Sequence, residues 1–141
     1  MQPEAKFKKA IREGFEHVMG GAHAEDSYLA HIVAGPRQKR GLPDLFASAW
    51  GSSSWIEAKI VPNGLSAIQE HVQGRMARAG TRIWKVSGED TGPRAKRRVF
   101  LWLLVPRISG EGAELVPNAT EFLWSDLKAA PFWHTIIGAP R

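Results

Sequence analysis

Residues 41–59 read GLPDLFASAWGSSSWIEAK, and three of them have types and spacing suited to phosphodiester chemistry. Asp44 follows a Gly-x-Pro turn, and Glu57 and Lys59 stand one residue apart in an apolar run. In a strand, alternate side chains share a face, so Trp55, Glu57, Lys59 and Val61 lie on one side and Ile56, Ala58 and Ile60 on the other. The apolar set faces the core. Glu57 and Lys59 then emerge together beside the end of a neighbouring strand, where Asp44 stands. Hard carboxylate oxygens arranged in this way suit Mg²⁺ or Mn²⁺, which keep several waters and take a substrate phosphate. Such an ion polarises the phosphoryl oxygen, lowers the pKa of a bound water and balances charge on the leaving oxygen. Lys59 is placed to orient the attacking water, to help deprotonate it or to stabilise the charged transition state, and residue type does not choose among these. The bland counterpart is a turn aspartate beside a solvated Glu/Lys strand face.

The elements that must position these residues follow from periodicity. From Pro3 to Met19, Phe7, Ile11, Phe15 and Val18 recur at three- and four-residue spacing between charged residues, which predicts an amphipathic helix ended by Gly20-Gly21. Residues 28–33 read as a short strand, and 37–41 as a basic loop leading to Asp44. Residues 45–49 and 55–61 read as a hairpin around a 51–54 turn. Leu65, Ile68, Val72, Met76 and Ala79 mark a second helix ending at Gly80, followed by strands at 81–86 and 99–105. The second of these is apolar enough for burial on both faces. Residues 121–130 read as a short helix and 131–134 as a docking tail. The order implies an α/β sheet whose later strands are joined by a helical crossover.

Pro43-Asp44 followed by Glu57-Ala58-Lys59 resembles the PD-(D/E)XK nuclease motif. The surrounding GLPDLF, WIEAK and LSAIQEHVQGRMARAG, with the strand TRIWKV after them, are similar to the VRR-Nuc branch found in phage enzymes and DNA-repair nucleases. That branch runs G-x-PD, an E-x-K strand, then a helix carrying a Gln and ending in Gly, and the likeness covers about residues 4–87. It implies a restriction-endonuclease-like α/β fold, a mixed central sheet flanked by helices. It also implies a Mg²⁺- or Mn²⁺-dependent endodeoxyribonuclease in which Asp44 and Glu57 bind metal, Lys59 is catalytic and Gln69 assists. Gln69 also completes a capping box with Ser66, a structural role of equal weight. Relatives take a further acid from the N-terminal helix. Glu4, one turn before Phe7, is the choice here against a plain charge at a helix N-terminus, with Glu25 a distant alternative. Some phage relatives carry a Glu shortly before the G-x-PD turn, and residues 31–34 have none.

Composition agrees with such a role without demanding it. The 141 residues suit one nuclease domain, 1–141, with 107–141 an extension of unassigned role. The 19 Lys and Arg exceed the 14 Asp and Glu, for a net charge of +5 that favours anionic partners. No cysteine is present, which excludes disulfides and thiolate metal sites and agrees with a reducing compartment. No apolar run suits a signal peptide or a membrane-spanning helix, so the expectation is cytoplasmic, in the bacterial host if phage-encoded. Arg37, Lys39 and Arg40 lie just before the proposed site and are expected to match backbone charge; Arg97 and Arg98, beside Arg94 and Lys96, form a second candidate DNA contact. Of the six tryptophans, Trp50 is the candidate for base stacking, and Trp84 and Trp102, in strands, read as core. The five histidines show no metal-ligand spacing.

The expected substrate is DNA, branched or structured as in junctions or flaps, cut by a homodimer presenting two sites. A non-catalytic DNA-binding accessory protein with the same fold is the first alternative. A restriction-type endonuclease is the second, though it needs more chain for base readout.

Overall fold

The computed structural model describes residues 2–20, 25–32 and 40–138. Helix α1 (Pro3–Met19) forms as its periodicity predicts: Phe7, Ile11 and Phe15 make a buried stripe at four-residue spacing, and Pro3 sits in the first turn, where no N–H is missed. Strand β1 (Ser27–His31) pairs antiparallel with β2 (Leu45–Ala49). β2 turns directly into β3 (Ser52–Ile60), with Ala49 opposite Ser52.

That hairpin is tighter than expected. The turn is Trp50-Gly51, both at positive φ, 55° and 78°, which is the mirror-image turn whose twist matches the strands it joins. The serines assigned to the turn are therefore the first residues of β3.

Helix α2 (Ala67–Arg78) starts at a Ser66 capping box and carries the chain over the sheet, so that β4 (Ile83–Gly88) lies parallel to β3. β5 (Arg98–Pro106) returns antiparallel, and β6 (Ala113–Pro117) and the two-residue β7 (Phe122–Leu123) pair with its two ends. The result is a seven-stranded mixed sheet in the order β1-β2-β3-β4-β5-β6, flanked by helices. This is the mixed α/β architecture anticipated above.

The C-terminal third differs from expectation. Where one helix was anticipated there are β7 and a 3₁₀ turn over Trp124–Lys128, held at its start by the Leu123 N–H donating to Asp126 Oδ2 at 2.7 Å. The tail at 131–134 lies in α3 (Ala130–Ile137), with proline in its first turn. Phe132, Trp133, Ile136 and Ile137 are buried, so this segment completes the core.

That core lies on one face of the sheet. Leu45, Ala47, Ile56, Ala58, Val86, Val99 and Leu101 meet α1 and α3 there. The chain closes on itself through buried polar links: Ser54 Oγ and Trp84 Nε1 donate to the Ile136 carbonyl at 2.6 and 3.0 Å, and Arg82 donates to Ile137 O at 2.8 Å. The opposite face is thinner, with α2 over a small cluster of Ala77, Ile83 and Leu104. Glu57 and Lys59 lie on this second face, so one helix covers them. No helix among the described residues is long and apolar enough to cross a membrane.

Candidate active site

Asp44 is held where the chain enters β2. Gly41 before it has φ +88°, a conformation that favours glycine, and a Cβ there would come within 2.7 Å of the Ile68 carbonyl, so glycine lets this turn pack against α2. The Asp44 carbonyl accepts from Ile32 N–H at 2.7 Å, and Oδ2 accepts from Ala58 N–H at 3.0 Å, taking up a strand donor beyond the end of β2. Oδ1 lies 3.1 Å from Lys8 Nζ, reaching over from α1. A close approach sets the start of that helix: Gly88 gives room for the Phe7 ring, and a Cβ there would come within 2.6 Å of it.

Glu57 is 1% exposed. Its Oε1 accepts from Gln73 Nε2 at 2.8 Å and Gln69 Nε2 at 3.3 Å, and Oε2 lies 4.0 Å from Lys59 Nζ. Burial pushes its pKa up to about 9, and the neighbouring Asp44 carboxyl pushes the same way; Gln73 and Lys59 oppose this without balancing it.

Among the described residues no group of three or more His, Cys, Asp or Glu could hold an ion, so the three-acid set of Asp44, Glu57 and Glu4 is not assembled. Glu4 is partly buried on α1, and Lys8, one turn further, is the residue that reaches Asp44. Two adjacent carboxyls still fit Mg²⁺ or Mn²⁺, because such ions are held by one or two carboxylates together with water and substrate phosphate.

Gln69 forms the expected cap and also reaches Glu57, on opposite atoms of one amide. Oε1 accepts from Ser66 N–H at 2.9 Å in the capping box, while Nε2 reaches Glu57. Gln73 and Lys8 were not anticipated. Gln73 is fully buried and its Nε2 also donates to the Gly41 carbonyl at 3.2 Å, joining the Asp44 turn to Glu57. Its position four residues after Gln69 on a helix was the available signal. For Lys8 the signal was its spacing from Glu4.

The basic residues are less uniform than their clustering suggested. Arg37 and Lys39 lie outside the described residues, and Arg40 is exposed. Arg97 donates to Gly92 O at 3.3 Å and stands over the Trp124 ring. Arg98, a candidate DNA contact, binds both oxygens of Glu89, at 2.9 and 3.2 Å, and approaches Glu121 at 4.0 Å. This pairing holds the Glu89 carboxyl below its usual range. Glu25 is exposed. Trp50 lies at the opposite end of β2 from Asp44, against the His134 ring at 4.9 Å, which removes it as a stacking platform near the site. Trp102 is only half-buried and faces the side of the sheet that carries Glu57.

No protein-family model matches the chain, and no curated protein matches it in sequence. Among solved structures, it is similar to a Holliday junction resolvase from the archaeal hyperthermophile Archaeoglobus fulgidus, with 17% identity and a TM-score of 0.46 over 82% of this chain and 88% of that one.

Proposed function

We propose that this protein is a Mg²⁺- or Mn²⁺-dependent endodeoxyribonuclease whose site is Asp44, Glu57 and Lys59, supported by Gln69 and Gln73. The observation that carries this reading is the placing of Asp44, through Ala58 N–H, beside buried Glu57, with Lys59 4.0 Å from the latter. A bound divalent ion supplies Lewis-acid polarisation of the phosphoryl oxygen. The remaining work belongs to the chain. Gln73 and Gln69 fix the Glu57 carboxylate through Oε1, leaving Oε2 toward Lys59. Ala58 N–H and Lys8 fix the two oxygens of Asp44. Lys59 presents a cation where negative charge develops in the transition state.

The substrate is DNA with branched or structured geometry, and the working unit a homodimer; both follow from the resemblance of the GLPDLF, WIEAK and Gln-helix segments. Incubation with Mg²⁺ or Mn²⁺ and a panel of single-stranded, duplex, flap and four-way-junction DNA tests the proposal. Lys59→Ala and Asp44→Asn should abolish cleavage while the fold survives. Asparagine is preferred to alanine at 44 because it keeps an acceptor for Ala58 N–H, whose loss would cost about 1–3 kcal/mol. Retained metal-dependent cleavage in either variant would refute the site, and a monomer in light scattering would count against junction resolution.

Two observations favour a second reading, a non-catalytic DNA-binding domain: Lys8 already supplies Asp44 with positive charge at 3.1 Å, and a third carboxylate is missing from the described site. DNA binding without cleavage in either metal would select it.

A further inference from the structure

The face that carries Glu57 and Lys59 continues onto β4 and β5. Register places Lys85 beside Glu57 and Ser87 beside Lys59, then Trp102 beside Lys85 and Phe100 beside Ser87. Residues opposite one another on adjacent strands share a face, roughly 5 Å apart. The cluster under α2 takes Ile83 and Leu104 on this face, toward the other end of these strands. Beyond it a cavity of about 240 Å³ opens, walled by Pro62, Asn63, Lys85, Ser87, Phe100 and Trp102.

Three properties of this cavity point to a ligand. Ser87 is 3% exposed, yet its Oγ has no hydrogen-bond partner among the described residues, and a buried hydroxyl left in this state is costly. Lys85 Nζ lies 5.6 Å from the centre of the Trp102 ring, and no carboxylate among the described residues comes within ion-pair reach of it. Burial, together with the neighbouring charge of Lys59, holds the Lys85 pKa below its usual value. Flat aromatic walls, with Lys85 beside the Trp102 ring and Arg98 5.2 Å from the centre of the Phe100 ring, and one unsatisfied hydroxyl suit a planar ring bearing polar edge atoms, whereas a phosphate would leave the apolar walls unused.

We propose that this cavity receives the base of a nucleotide adjoining the scissile phosphate, stacked on Trp102 and Phe100, with Ser87 Oγ and Lys85 Nζ meeting its edge. The proposal rests on the nuclease reading above, because it places the base one strand away from Lys59. It implies a substrate in which a base next to the cut can leave its stack, the condition met at junctions, flaps and single strands.

An abasic-site walk tests it. In a DNA cleaved by the wild-type protein with Mg²⁺ or Mn²⁺, a single abasic nucleotide is moved through the positions flanking the cut, and kcat/KM is measured for each. We expect a loss of about tenfold at one position relative to the cut, and a much smaller loss elsewhere. Trp102→Ala should cut intact and abasic substrates at nearly equal rates, and Ser87→Ala, which removes a single oxygen and keeps the packing, should shrink the positional loss. A structural role alone would not move that discrimination. If Trp102→Ala does not fold, Ser87→Ala decides. Cleavage by the wild type without a positional loss, or a loss undiminished in the variants, would overturn the cavity assignment and leave the nuclease standing. Failure of the wild type to cut any DNA would remove both.

Discussion

At the scale of single residues, Glu57 is the group whose environment departs furthest from water. It is 1% exposed, and burial and the Asp44 carboxyl raise its pKa to about 9. Below its ordinary value of 4.5 it is protonated in both the folded and the unfolded chain. Between 4.5 and about 9 the unfolded chain releases the proton and the fold retains it, so metal-free stability falls as pH rises across that window. The slope approaches about 1.4 kcal/mol per pH unit for this one group. Urea denaturation at pH 5 to 8 without divalent ions should show the decline, and Glu57→Gln should flatten it. Mg²⁺ or Mn²⁺ should stabilise the wild type more at pH 8 than at pH 5; equal effects at both would mean that no ion displaces the Glu57 proton.

At the scale of elements, α2 does two jobs that can be separated. The Ser66 hydroxyl caps the helix by accepting from Gln69 N–H at 3.2 Å, whereas Gln69 Nε2 reaches Glu57 at 3.3 Å. Ser66→Ala should therefore lower stability by about 1 kcal/mol and leave most of kcat, while Gln69→Ala should lower both. Thermal unfolding beside steady-state kinetics checks this, and equal loss of kcat in the two variants would show that Gln69 acts only as a cap. The capping box was legible because Ser66 and Gln69 are three apart in the chain. Gln73 was not, because its partners Gly41 and Glu57 come from elements brought together only by the fold. The hairpin was legible in both strands but not in its turn: Gly51 was available for positive φ, but only the pairing of Ala49 with Ser52 assigns positive φ to Trp50 as well.

At the scale of the whole molecule, the net charge of +5 is spread unevenly in its effect. Arg98 is engaged by Glu89 and Glu121, while Arg40 is exposed at the entry to the Asp44 turn. If DNA runs over the site, Arg40→Ala should reduce the slope of log K against log salt by about one, and Arg98→Ala should leave it unchanged. Binding isotherms at several salt concentrations read this directly; a reduced slope in Arg98→Ala would mean that the acidic partners release it to DNA. The C-terminal third is part of the same core: Trp133 is fully buried and its Nε1 donates to the Leu127 carbonyl at 2.8 Å.

The sequence by itself determined the helix stripe of α1, the strands flanking the hairpin, the β3-α2-β4 crossover and the pairing of Glu57 with Lys59 on one strand face. Each follows from backbone periodicity within a few residues, which tertiary packing has little freedom to alter. Only the tertiary structure decided which face of β5 is covered, and so that Trp102 borders an open cavity rather than filling the core. It likewise decided that Lys8, and not Glu4, faces Asp44, that Arg98 pairs with Glu89, and that the chain from Ala130 to Ile137 is a core helix. These depend on contacts between residues tens of positions apart, where an apolar run records that it is buried but not against what.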